Sequence, residues 1–159
     1  MKLYYLPGAC SLSDHIVLMW TGLPHESIRV EREALRTSFL KINPYGGVPA
    51  LVLEDGSLLT QNIAILDYLA NLAPEAKLLG DGSARGRAEV LRWTSFINAD
   101  VHKNFSNLFG ASSFVDDLAA QENLCDKARE RLRIQFETLN TLLEGKTWLV
   151  NDQRSIAYP

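Results

Sequence analysis

Apolar and polar positions change rhythm twice along this chain. Lys2-Leu3-Tyr4-Tyr5-Leu6 has the alternation and aromatic content of a strand, which Pro7-Gly8 ends. Ile16, Val17 and Trp20 then fall at helical spacing, and Gly22 marks the end of that helix. Ser27-Ile28-Arg29-Val30-Glu31 alternates again, so the first thirty residues predict a strand, helix, strand unit with parallel pairing and a right-handed crossover. After the turn Asn43-Pro44-Tyr45-Gly46-Gly47, residues Val48 to Leu53 predict a third strand. Pro49 cannot donate to a ladder and belongs at that strand's first residue or edge, where a cis bond is compatible. Glu54-Asp55-Gly56-Ser57 predicts a hairpin into Leu58-Leu59-Thr60, and Ile63, Leu66, Leu69 and Ala70 form a helical stripe with Asn62 as its N-cap.

Beyond Pro74 the strand signals stop. Residues 74–82, with proline, glycines and mixed charge, predict a linker between units at 1–73 and 83–159. Ser83 to Phe109 predicts one long helix carrying Val90, Trp93, Ile97 and Val101 on one face. Gln121 to Glu144 predicts a second, burying Leu124, Ala128, Leu132, Phe136, Leu139 and Leu143, before Gly145 stops it.

Composition narrows the class. Of the 159 residues, 47% are hydrophobic and 22% charged, enough to bury a core. A net charge of −3 with scattered basic residues gives no reason to expect nucleic acid or an anionic membrane as partner. Neither a membrane-length apolar run nor a signal-peptide stretch is present. The two cysteines, Cys10 and Cys125, lie far apart with no neighbours at metal spacing, so no metal site is expected and reduced thiols in the cytoplasm are.

The candidate chemistry sits at the first strand-to-helix junction. Cys10 falls at a helix N-terminus, where unpaired N–H groups and the helix dipole favour thiolate. Ser11 and Asp14 have the spacing of a capping box, and Asp14 opposes the thiolate as a nearby negative charge. A small buried residue in a tight turn is the competing reading of Cys10, and ordinary helical packing the competing reading of His102.

Three stretches together carry a family resemblance: Met1-Lys2-Leu3-Tyr4-Tyr5 with Pro7-Gly8-Ala9-Cys10-Ser11-Leu12-Ser13, then Asn43 to Leu51, then Leu59-Thr60-Gln61-Asn62-Ile63-Ala64-Ile65. The chain resembles the cytosolic glutathione transferases, most closely the bacterial beta class. Arg92-Trp93, Val101-His102-Lys103 and Trp148-Leu149 resemble that class in the helical half. The resemblance implies an α/β plus all-α fold: a thioredoxin-like βαβ-ββα domain followed by a helical-bundle domain.

It also implies a site. Cys10 would lie against the glutathione sulfur and be able to form a mixed disulfide with it. Related classes use a serine or tyrosine hydroxyl to hold that sulfur, which makes Ser11 and Tyr5 further candidates, Ser11 mainly as a cap and Tyr5 mainly as core. Val48, before Pro49, would offer its backbone to the cysteinyl part of glutathione, and Gln61 and Asn62 would receive the γ-glutamyl end. Asn62 departs from the serine or glycine that many relatives carry. His102 and Lys103 would reach back towards glutathione and the second substrate, with His102 counted beside Cys10 as catalytic. The implied activity conjugates the glutathione thiolate to a hydrophobic electrophile, with glutathione as co-substrate, no prosthetic group, and a homodimer as the assembly. A non-catalytic ligand- or protein-binding module is the other function considered. The family continues after a segment like Arg154-Ser155-Ile156-Ala157 into a capped interior helix. Against that pattern Tyr158-Pro159 gives a shortened helical domain, whose apolar stripes are expected to be exposed unless a partner or repacking covers them.

Overall fold

The computed structural model describes residues 1–157. Four strands, β1 (Lys2–Tyr5), β2 (Glu26–Arg29), β3 (Ala50–Val52) and β4 (Leu58–Thr60), form a sheet in the order β2-β1-β3-β4. β1 and β2 are parallel, as the crossover through α1 (Ser11–Thr21) requires, and the other pairings are antiparallel. The strands are shorter than their sequence patterns. Pro49 supplies no N–H and β3 starts one residue later, while beyond β2 the Val30 N–H still donates to Tyr5 O at 2.8 Å.

Register separates the two faces of the sheet. Leu3 opposes Leu51, and both are fully buried in a cluster with Val17 and Leu18 of α1 and Ile65, Leu66 and Leu69 of α2 (Asn62–Leu72). Tyr4 opposes Ala50 on the other face, packed with Val30, Phe39 and the 3-10 turns that connect β2 to β3. The turn before β3 is closed by Asn43, whose Nδ2 donates to Gly47 O at 2.7 Å and whose Oδ1 accepts from Tyr45 N at 3.1 Å. Gly46 is required there: its φ is +63°, and a Cβ would stand 2.6 Å from Leu35 O. This turn presents Val48 and the cis Val48–Pro49 bond.

Residues 74–82 are packed rather than extended. Pro74–Ala76 form a 3-10 turn, and Leu78 is buried in the main core. The helix expected from Ser83 is in three parts: α3 (Ala84–Phe96), a π-helical turn (Ile97–Val101) and α4 (His102–Gly110). Ser83 caps α3, its Oγ accepting from Gly86 N at 2.9 Å. α5 (Leu118–Leu143) starts three residues earlier than its apolar stripe suggests, because Asp117 caps it through Ala120 N at 2.8 Å. Ala128, Leu132 and Leu139 of that stripe are buried, whereas Phe136 is half exposed. Asn104, buried on α4, donates to Gln135 Oε1 of α5 at 3.1 Å. Phe109, Phe114, Leu118 and Ile134 are exposed on this helical half. Tyr158 and Pro159, on which the expectation of a shortened domain falls, lie outside the described residues.

The main core crosses from the first half of the chain into the second. Val90 of α3 and Val150, Ile156 and Ala157 belong to the same cluster as Leu3 and Leu69. Ile156 N donates to Leu78 O at 3.0 Å, and Trp148 meets Trp20 edge to face at 5.9 Å. Among the described residues no helix is long and apolar enough to cross a membrane.

Candidate functional site

The turn from β1 into α1 is fixed by Ser11. Its buried Oγ accepts from Leu6 N at 3.1 Å and donates to Leu6 O at 3.3 Å. The expected capping box is therefore absent: Ser11 is inside α1, Cys10 occupies the N-cap position, and no side chain caps the helix. Ser13 Oγ instead donates to Cys10 O at 2.7 Å. Its donor and one of its acceptor sites are thus taken by Leu6, which fixes the turn.

Asn62 connects this turn to α2. Gln61, not Asn62, is the N-cap residue of α2, and it is exposed with φ at +73°, in the left-handed region. Asn62 is thereby free to turn its amide towards α1. Its Nδ2 donates to Ser13 Oγ at 2.7 Å, to Asp14 Oδ2 at 3.0 Å and to Cys10 O at 3.3 Å. Asp14 is fully buried, and its Oδ1 has no hydrogen-bond partner. Burial pushes the Asp14 carboxyl up to about 8, although the Asn62 amide pulls it down.

The Cys10 thiol moves in the direction opposite to the one a helix N-terminus predicts. Burial raises it most and the nearby Asp14 raises it further, outweighing the backbone N–H groups of Cys10 and Ser11 that pull it down. The surroundings suit the thiol: Sγ lies 3.5 Å from Val48 O, placed to donate its proton there.

A cavity of about 900 Å³ opens over this corner. Cys10, Ser13 and Asn62 line one side; Asn98 and His102 from the π turn and α4, and Arg133 and Glu137 from α5, line the others. The rest of the wall is largely apolar, with Leu12, Ile16, Ile97, Phe105 and Phe136. The π turn matters here because its wide turn sets the rotation at which α4 presents His102. The fold thus brings Cys10, Asn62 and His102 to one cavity, with Val48 against the Cys10 sulfur and Pro49 buried behind it. Lys103 and Gln61 are exposed and outside the cavity wall. Tyr5 is half buried with its ring against His15, also away from that wall. Arg133 and Glu137 were not singled out by the sequence pattern; their spacing of four on the helix beside Leu132 was the available signal.

Comparison with known proteins agrees with this architecture. Residues 9–72 match the family model for the glutathione S-transferase N-terminal domain. Glutathione S-transferase GST-4.5 of Xanthomonas campestris pv. campestris is 45% identical over 153 residues, covering 96% of this chain and 74% of the relative. The structure of a glutathione S-transferase from Xylella fastidiosa superposes with a TM-score of 0.91 at 42% identity, over 98% of this chain and 76% of that one. A sphingomonad glutathione S-transferase complexed with glutathione gives a TM-score of 0.85 at 34% identity, over 99% and 77%. The chain belongs to the glutathione S-transferase family, with a bacterial beta-class enzyme among its structural neighbours. The thioredoxin-like sheet followed by helices is the fold shared with these enzymes.

Proposed function

We propose that this glutathione transferase binds glutathione at the corner made by Cys10, Val48 and Asn62 and conjugates its sulfur to an apolar electrophile held in the adjoining cavity. The observation that carries this is the meeting of Cys10, Asn62 and His102, from three separate elements, in one 900 Å³ cavity with a largely apolar wall. In this reading residues 1–73 bind glutathione and residues 83–159 supply the wall for the second substrate, with 74–82 joining them. Val48, held ahead of Pro49, offers its backbone to the cysteinyl unit as an edge strand pairs with a peptide. The N–H groups at the start of α2, which no side chain caps, receive the γ-glutamyl carboxylate beside Gln61 and Asn62. Lys103 supports an anionic end of glutathione from the rim, and His102 donates towards the bound sulfur or the leaving group; Tyr5 and Ser11 keep structural roles.

The reaction forms one carbon–sulfur bond as the electrophile's leaving group departs with its electron pair, and the glutathione thiol proton goes to solvent. Catalysis comes from proximity and from donors that favour the glutathione thiolate. A second activity uses the same site: the Cys10 thiolate attacks oxidised glutathione, forming a Cys10–glutathione disulfide and releasing one glutathione thiolate. A homodimer in the cytoplasm completes the reading; two free cysteines are compatible with a reducing compartment. The test is conjugation of glutathione to a dinitrophenyl halide, with retention on immobilised glutathione. Activity that falls at least roughly tenfold in Asn62→Ala and His102→Ala, with retention lost in Asn62→Ala, supports the proposal. A wild-type protein that flows through and does not conjugate is the binding module instead.

A further inference from the structure

Asp14 is the one buried carboxyl in this corner that the proposed conjugation leaves without a role. It has no ion pair among the described residues. Its hydrogen bond comes from an amide that also holds the Cys10 carbonyl and Ser13 Oγ, and its second oxygen has no partner. A buried ionised carboxylate whose donors are one neutral amide and its own backbone N–H is strongly disfavoured. A half-buried thiolate is disfavoured as well, and the two groups stand four residues apart, Cys10 at the N-cap and Asp14 in the first turn of α1.

We propose that Asp14 is a positioning residue for the Cys10 sulfur: its buried carboxyl, tethered through Asn62 to the Cys10 turn, competes with the thiol for the single negative charge this corner can hold. With a proton on each, Cys10 is a neutral S–H donor, which fits its 3.5 Å contact to Val48 O. When pH rises, whichever group loses its proton first makes the second loss harder, so the pair titrates as a unit. The directions of both groups agree, since burial raises each and Asp14 raises Cys10 further. Other titratable side chains around the corner are His102 of α4 and Arg133 and Glu137 of α5 across the cavity. On α2 they are Asp67, paired to Arg87, and Tyr68; on β1, Lys2 paired to Glu26, Tyr4 against Phe39 and Tyr5 against His15; His15 is also on α1. None donates a hydrogen bond to Asp14.

The inference deepens the reading of Cys10 as the residue beside the glutathione sulfur. A neutral Cys10 suits donation to a bound thiolate, and above about pH 8, where Asp14 is ionised, removing its charge would shift the balance towards thiol–disulfide exchange. Its test needs no glutathione. In a Cys125→Ser background, the rate of Cys10 alkylation by iodoacetamide is followed by mass spectrometry from about pH 6 to 10. The expected wild-type midpoint lies above that of a free cysteine. Asp14→Asn should move it down by about one unit, raising the rate by up to roughly tenfold above pH 8, where the wild-type carboxyl is ionised, with little change near neutrality and the limiting rate at high pH unchanged. A merely structural Asp14 would alter melting and leave the pH midpoint in place. Asp14→Ser serves the same purpose if Asp14→Asn does not fold. Coincident pH profiles overturn the proposal, and so does a wild-type midpoint at or below that of free cysteine. A shifted midpoint in a protein that does not bind glutathione would sink the functional reading and leave this one standing.

Discussion

At the scale of the residue, Asp14 makes stability depend on pH in a direction unusual for a carboxylate. Its carboxyl titrates at about 8 when folded against roughly 4 when unfolded, so the folded state keeps a proton that the unfolded chain releases. Fewer protons on the unfolded chain mean that stability is greatest below about pH 4 as far as this group is concerned, and falls as pH rises towards 8. The slope is about 1.4 kcal/mol per pH unit inside that window. Urea midpoints of wild type and Asp14→Asn should therefore converge at low pH, with the variant gaining relative stability as the buffer is made more alkaline; parallel midpoints would count against the raised carboxyl. Ser11 allows a simpler prediction. Ser11→Ala strips both hydrogen bonds from Leu6 and should cost about 1–3 kcal/mol in urea denaturation. Sequence singled out Cys10, Asn62 and Asp14, but it assigned a thiolate and two caps. Helix-end chemistry is local and visible in order of residues; burial of the sulfur and the path of the Asn62 amide depend on α2 lying against α1.

At the scale of the element, the π turn is the feature that apolar periodicity smoothed over. Val90, Ile97 and Val101 fit a single stripe, yet the chain inserts a wide turn at Ile97–Val101 before α4. Inserting one alanine after Ser95, which is exposed on α3, should rotate α4 by about 100° about its axis, because the turn at Ile97–Val101 already holds its one extra residue. His102 would leave the cavity and Asn104 would lose Gln135. Loss of conjugating activity together with a lower melting temperature is expected, whereas Ala99→Gly should keep most of the activity. Caps were partly legible: Ser83 stands at the predicted start of α3, but Asp117 opens α5 ahead of any stripe, because capping needs only one oxygen and one free N–H.

At the scale of the whole molecule, the two halves are held by shared apolar packing more than by charge. Arg87 reaches Asp67 across them at 2.6 Å, with both side chains about a third or more exposed. Arg87→Ala should cost less than about 1 kcal/mol. Ile156→Ala, in the core that joins Leu78 to α2, should cost about 2–5 kcal/mol, and paired chemical denaturation of the two variants distinguishes these magnitudes. The order of strands and helices, the turn before Pro49, the positions of Cys10 and Asn62 and the change of pattern near Pro74 were determined by sequence, because each rests on spacing within a few residues. Only the tertiary structure decided that Leu78 and Ile156 close one continuous core, that Arg133 and Glu137 face the same cavity as Cys10, and that burial beside Asp14 raises the Cys10 thiol instead of lowering it. Those outcomes depend on which segments exclude water from one another, and residues far apart in the chain settle that together.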